Sequence, residues 1–373
     1  MNLQMIKTPS LLLDIARVRR NAERMSEVAR RNSVRLRPHI KTHKCVEVAR
    51  IQTEGHDGAI TVSTLAEARA FAEHGFNDIT YAVPIDEGKF DDAIEILKSG
   101  VKLNLLTDDI ETSRKLADAS MRAGVTFDVF VKIDCGYHRV GVEPHTNEAI
   151  EIPRLLADAK NLNFAGILTH AGHSYNAHSK DEILDIARIE RDSMVELAER
   201  LRAQSIEVPT VSVGSTPTMS TIDNLEGIDE IRPGNYILFD AFQATLGSCS
   251  VEDPALTVLT AVVHKDNVRR KLVVDAGAIA LSKDRGPYEI DADCGYGQVL
   301  DLDGTETGMR VTELSQEHGQ IKAADANAFD GLNVGDRLRI LANHSCLTAA
   351  QHSHYHVMEN GEIVDRWEIH RGW

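Results

Sequence analysis

With 373 residues, 42% hydrophobic and 26% charged, the chain is long enough for two domains with a sizeable core and too apolar to be disordered. A formal net charge of −16 argues against a nucleic-acid backbone or an anionic membrane surface as partner. Five cysteines without a Cys-x-x-Cys pair point to a reducing compartment. No signal-peptide pattern precedes Ser10, and no apolar run approaches the ~20 residues of a membrane span, so the expectation is a cytoplasmic protein.

A short apolar strand is predicted at 11–14, followed by a helix at 15–32 carrying Val18, Ala22, Met25 and Val28-Ala29 at helical spacing. Eight strand-then-helix units come next, with strands at 35–41, 58–63, 79–83, 101–106, 127–133, 164–170, 208–213 and, more weakly, 230–232. Such alternation is the signature of a parallel sheet, and eight units in about 240 residues match a TIM-type (β/α)8 barrel. An open doubly wound sheet is disfavoured because no Gly-x-Gly-x-x-Gly follows the first strand. From about residue 250 the helices drop out. Strands are predicted at 256–264, 271–275, 310–314, 319–323 and 337–342, then a hairpin at 357–364 turning on Asn360-Gly361. The expected α/β architecture is a barrel over 8–245 followed by an all-β domain over 250–373.

In such a barrel the active site is made by the C-terminal ends of the strands. Those ends are Lys41, Ser63, Pro84, Thr107, Asp134, His170, Gly214-Ser215-Thr216 and Gly234. Arg37, His39 and Lys41 alternate onto one strand face, and Lys41, flanked by histidines, is a candidate Schiff-base lysine. Gly214-Ser215-Thr216 before Pro217 offers small residues and hydroxyls at a helix start, a phosphate cradle. Gly234-Asn235-Tyr236 follows strand eight, the other usual phosphate position. A lysine and a phosphate site together suggest pyridoxal 5′-phosphate, with Arg139 placed to pair with its phenolate oxygen. Plain turns and a surface arginine are the competing explanations. Asn343-His344-Ser345-Cys346 closes the 337–342 strand, and if that strand continues His344 and Cys346 share a face as a zinc-type ligand pair. A buried cysteine beside a core histidine would read the same way. His352, His354 and His356 alternate nearby, as further ligands or as a packed strand.

These motifs resemble the D-threonine aldolase and D-serine dehydratase family within the alanine racemase-like, fold-type III pyridoxal phosphate enzymes. Pro38-His39-Ile40-Lys41-Thr42-His43-Lys44 is similar to that family's lysine motif, and Lys132-Ile133-Asp134 through His138-Arg139-Val140-Gly141 to the segment whose arginine contacts the cofactor. His170-Ala171-Gly172-His173-Ser174-Tyr175 resembles the pyridine-side segment, Ser212 to Pro217 the phosphate segment, and Asn343 to Cys346 the metal motif. The resemblance runs from about residue 8 to 358. It implies that His170, Tyr175, Gly214, Ser215, Thr216, Gly234, Asn235 and Tyr236 bind the cofactor, and that His344 and Cys346 hold a divalent metal, the thiolate favouring zinc. Cys294-Gly295-Tyr296-Gly297 is similar to a racemase tyrosine segment but lacks the acidic residue that follows there.

The implied activity is a pyridoxal phosphate- and metal-dependent lyase acting on D-3-hydroxy amino acids. In a D-serine dehydratase-type β-elimination, Lys41 removes the α-proton and a keto acid and ammonia result. In a D-threonine aldolase-type cleavage, His173 deprotonates the β-hydroxyl and glycine and an aldehyde result. An amino-acid racemase using Tyr296, or a non-catalytic pyridoxal phosphate carrier, are the further alternatives. The resemblance also implies a homodimer with a small-molecule partner.

Overall fold

The computed structural model describes residues 2–322 and 326–373; Met1 and 323–325, including Ala323 at the end of the expected 319–323 strand, lie outside the described residues. In chain order the strands are β1 (Ser10–Asp14), β2 (Arg35–Leu36), β3 (Ile60–Val62), β4 (Asp78–Pro84), β5 (Lys102–Thr107), β6 (Phe127–Lys132), β7 (Leu162–Leu168), β8 (Val211–Val213), β9 (Glu230–Ile231), β10 (Leu256–Asp266), β11 (Lys271–Val274), β12 (Gly297–Leu300), β13 (Glu306–Leu314), β14 (Gly319–Lys322), β15 (Arg337–Ala342), β16 (His354–Glu359) and β17 (Glu362–Glu368). The chain divides into two compact units. One comprises Arg24–Lys41, Ala49–Gly234 and Arg371–Trp373, and the other Met1–Glu23, Thr42–Val48 and Asn235–His370.

In the first unit, β2 to β9 form one parallel sheet in the order β2-β9-β8-β7-β6-β5-β4-β3. A parallel bridge between His39 and Thr61, with the Thr61 N–H donating to Pro38 O at 2.9 Å, joins the two end strands. The sheet thus closes into the anticipated TIM-type barrel. Strands between helices and barrel interior bury both faces, which is why β5 reads Leu-Asn-Leu-Leu-Thr with every residue from 103 to 107 buried. The helices start on capping side chains: Thr64, Asp109 and Ser179 accept from the N–H groups of Glu67, Thr112 and Glu182.

The barrel interior is layered. Asp128, Phe130 and Lys132 alternate onto one face of β6. At the strands' N-terminal end, the buried Arg37 donates to Glu230 and to Asp78, both at 2.7 Å, and Asn104 donates to Asp78 at 3.0 Å. Burial alone would raise the Asp78 pKa, but the hydrogen bonds and charges of Arg37 and Arg35 hold it well below the usual carboxylate range. Above that layer Leu106, Phe130 and Leu168 pack together. Lys132, His170 and Arg232 follow at the C-terminal end.

The second unit is built on a nine-stranded, mostly antiparallel sheet in the order β11-β14-β13-β12-β15-β10-β1-β16-β17. The apolar strand at 11–14 was expected within the 8–245 segment. Here it pairs antiparallel with β10 and parallel with β16. β12 was not anticipated, nor were the short helices Ala278–Leu281 and Ser345–Gln351. The β16–β17 hairpin turns on Asn360 (φ 50°) and Gly361 (φ 81°), the doubly left-handed pair that an Asn-Gly turn favours.

Candidate active site

The β2 ladder ends at Leu36. After the His39 bridge, Lys41 lies in the one-turn 3-10 helix Ile40–Thr42 rather than on a continuing strand. It remains at the C-terminal end of the barrel and is half-buried. His39 flanks it: the Lys41 N–H lies 3.4 Å from His39 Nδ1, while Nε2 of that ring is 3.4 Å from Ser63 Oγ.

His170 is reached from the end of β7. Its Nδ1 faces the Gly214 carbonyl at 3.3 Å, which requires a proton on that nitrogen and leaves Nε2 as an acceptor. Burial, then the charges of Lys41, Lys132 and Arg232, push its pKa well below that of a free imidazole, so the ring is neutral. His173 and Tyr175 lie in the turn Gly172–Asn176. Burial lowers the His173 pKa too, against the charges of Glu190 and Asp134, and its Nδ1 is buried with no hydrogen-bond partner. Tyr137 stacks on His173 and meets His170 edge-on, each at 6.3 Å between ring centroids. Arg139 is exposed, with its guanidinium 4.8 Å over the Tyr137 ring.

The loop after β8 forms as the sequence suggested, with Ser215 capping Thr216–Thr221 and Pro217 in the first turn. Two of its N–H groups are already engaged: Gly214 donates to Glu190 Oε1 at 3.1 Å and Ser215 to Thr218 Oγ1 at 3.0 Å. Ser215 Oγ also bonds Ser174 Oγ at 2.9 Å. Gly214 has φ +116°, and a Cβ there would meet Met219 Cγ at 3.0 Å and Arg232 N at 3.2 Å, so the residue must be glycine.

Sequence reading missed Arg232 and Glu190 and met Lys132 only within a longer segment. Arg232 is buried, donates to Ser212 Oγ at 2.7 Å, and has its pKa pulled down to about 10 by burial. Burial, with the Arg232 charge, drives Lys132 down to about 7. Lys41, Lys132 and Arg232 thus share the surroundings of His170 with the carboxylate of Glu190. This surplus of positive charge suits a phosphate ester, and a primary amine among other cations suits an aldehyde. The donor set fits pyridoxal phosphate.

Asn235, Tyr236, His344 and Cys346 belong to the second unit. β15 stops at Ala342, and His344 is the N-cap of the helix Ser345–Gln351, so His344 and Cys346 are not two positions of one strand. The turn at the helix start nonetheless leaves them close enough for each to shift the other's protonation. His344 Nδ1 lies 2.5 Å from Asp284 Oδ2, which directs Nε2 toward any metal. Cys346 Sγ is 3.3 Å from Thr42 Oγ1, the residue after Lys41 in the chain, and 3.5 Å from Asn235 Nδ2. Burial would raise the Cys346 pKa, but the His344 charge and the His344 and Thr42 hydrogen bonds bring it to about 7. A poised thiolate and an oriented imidazole fit a soft divalent ion with open positions. Among the described residues no three His, Cys, Asp or Glu side chains are grouped to hold a metal. His352 instead lies 3.0 Å from Ala280 O, and His354 packs on His356 with its Nδ1 3.0 Å from Arg366. The Tyr296 ring lies 5.9 Å from the Arg285 guanidinium.

Residues 13–241 match the family described as "Alanine racemase, N-terminal domain", and residues 255–358 the "Putative serine dehydratase domain". The D-threo-3-hydroxyaspartate dehydratase of Delftia sp. (strain HT23) is 38% identical, over 99% of this chain and 98% of that protein. Its structure matches with a TM-score of 0.96 over 100% of both chains, and a variant of the same dehydratase is described in a metal-free form. The D-serine dehydratase of Dictyostelium discoideum is 35% identical over 99% of this chain and 98% of its own length. The structure of D-threonine aldolase from Filomicrobium marinum is 28% identical, with a TM-score of 0.86, covering 99% of this chain and 96% of that one.

Proposed function

The chain belongs to the D-threonine aldolase and D-serine dehydratase family of pyridoxal phosphate-dependent lyases acting on D-amino acids, and on that premise we propose that it dehydrates a D-3-hydroxy amino acid to a keto acid and ammonia. The observation that carries the dehydratase reading is the Asp284–His344–Cys346 arrangement, a hydrogen-bonded donor pair suited to zinc. Bound pyridoxal phosphate supplies an electron sink at the substrate α-carbon. Lys41 would hold the cofactor through its amine, and the same amine would take the α-proton of the substrate. His170, neutral and fixed by Gly214, Tyr175 and the exposed Arg139 line the cofactor side, and the loops at Gly214-Ser215-Thr216 and Gly234-Asn235-Tyr236 receive its phosphate. His344 and Cys346 would hold a zinc ion, whose contribution would be Lewis acidity toward the β-hydroxyl. Thr42 and Asn235 orient the sulfur. The reading includes a homodimer in the cytoplasm, the dimer supported by the family resemblance and the compartment by five cysteines without a Cys-x-x-Cys pair. Among the described residues no helix is long and apolar enough to cross a membrane.

The test is product analysis on D-serine, D-threo-3-hydroxyaspartate, D-threonine and D-alanine. Pyruvate or oxaloacetate with ammonia is expected. Glycine with an aldehyde would replace dehydration by aldol cleavage, with the neutral His173 as base, and L-alanine would indicate a racemase. Lys41→Ala is expected to abolish turnover and the absorbance band of lysine-bound cofactor. Dialysis against a chelator is expected to remove activity, and zinc to restore it.

A further inference from the structure

The helix Lys180–Ala203 turns Ile183, Ala187, Glu190, Met194, Leu197 and Leu201 to its buried side, an apolar stripe interrupted by one carboxylate. A charge at such a position is costly unless hydrogen-bonded, and a broken local rule of this kind marks a functional position more often than a packing one. Glu190 Oε1 accepts from two backbone N–H groups, Ala171 at 3.0 Å and Gly214 at 3.1 Å. The first directly follows His170, and the second directly precedes Ser215. The other face of the Gly214 residue is held as well, since its carbonyl receives His170 Nδ1 at 3.3 Å. Glu190 Oε2 is buried with no hydrogen-bond partner, within electrostatic reach of Lys132 and Arg232.

We propose that Glu190 is a positioning residue for the cofactor: one carboxylate oxygen ties the loop after β7 to the loop after β8 and so sets the spacing between His170 and Ser215-Thr216. This rests on the pyridoxal phosphate reading above. The tie joins two loops at the catalytic end of the barrel. The surroundings of both N–H groups are tightly packed: a Cβ on Gly214 would press on Met219 and Arg232, and one on Gly172, the residue after the Ala171 donor, would come within 2.3 Å of the Tyr137 ring. The carboxylate therefore holds a geometry that the backbone cannot relax around.

Two small substitutions separate reach from charge. Glu190→Asp keeps the charge and withdraws the oxygen by about 1.5 Å, one C–C bond. Glu190→Gln keeps an acceptor oxygen at full reach and removes the charge. Both are compared with wild-type holoenzyme by the visible circular dichroism of the bound cofactor and by its rate of release on dilution. Glu190→Asp is expected to release cofactor at least roughly tenfold faster with a weakened dichroic band, while Glu190→Gln stays within about threefold of wild type. Wild-type behaviour in Glu190→Asp, or equal damage in both variants, overturns the proposal. A wild-type protein with no lysine-bound cofactor band overturns the underlying reading and this proposal with it, a result recognisable because it precedes any substitution.

Discussion

At the scale of single residues, the site is a set of side chains whose protonation is set by their neighbours. Asp284 fixes the ring of His344, and that ring keeps Cys346 close to its thiolate. Asp284→Asn is expected to lower zinc affinity by roughly 10–100-fold, read as metal content after equilibrium dialysis, while the fold persists. Lys132 behaves in the opposite sense to a paired lysine. Its folded pKa, about 7, lies below the 10.5 of an ordinary lysine, so the unfolded chain binds more protons between those values. The cost of burying this lysine is full below about pH 7 and is relieved as pH rises. Cofactor-free wild-type protein is therefore expected to gain on the order of 1–2 kcal/mol relative to Lys132→Met between pH 7 and pH 9, measured by urea unfolding. Lys41, His170 and the His344/Cys346 pair could be singled out from the sequence because each stands in a motif that follows a strand. Glu190 and Arg232 were not, because their meaning depends on distant partners. Even so, a carboxylate three residues after Ala187 and four before Met194, on an otherwise apolar helix face, was a usable signal.

At the scale of elements, the barrel strands were readable from their spacing, since a strand buried on both sides must be short, apolar and followed by a helix. The destination of β1 was not readable. An apolar run specifies a strand but not its partners, and β1 found them in β10 and β16, more than 200 residues away in sequence for every pair. β15 ends at Ala342, as its sequence suggested, but it does not continue to Cys346: Asn343 donates to Arg285 O and Gly295 O, both at 3.0 Å, and those acceptors are invisible from the local sequence. The inter-strand ion pair beneath the barrel core is the element most exposed to substitution. Arg37→Met strands the carboxylate of Glu230 in the interior and is expected to cost about 3–5 kcal/mol, read by urea denaturation. Asp78 adds an acid dependence. Its folded pKa is depressed, so its contribution is complete above the unfolded value and disappears as pH falls through the folded one.

At the scale of the molecule, the chain divides into a closed parallel barrel and a nine-stranded sheet: Lys41, His170 and Gly214-Ser215-Thr216 belong to the first unit, Asn235, Tyr236, His344 and Cys346 to the second. Lys41 and Thr42 are consecutive in the chain yet fall in different units. Sedimentation of the purified protein is expected to give about twice the 41.1 kDa chain mass. The layering inside the barrel has a kinetic consequence. Arg37, Asp78, Asn104 and Glu230 stopper the floor, and Leu106, Phe130 and Leu168 seal the storey above it. With polar ties below and apolar side chains above them, reactants and products are expected to share the other mouth of the barrel, so that added product slows turnover by competing with the incoming substrate.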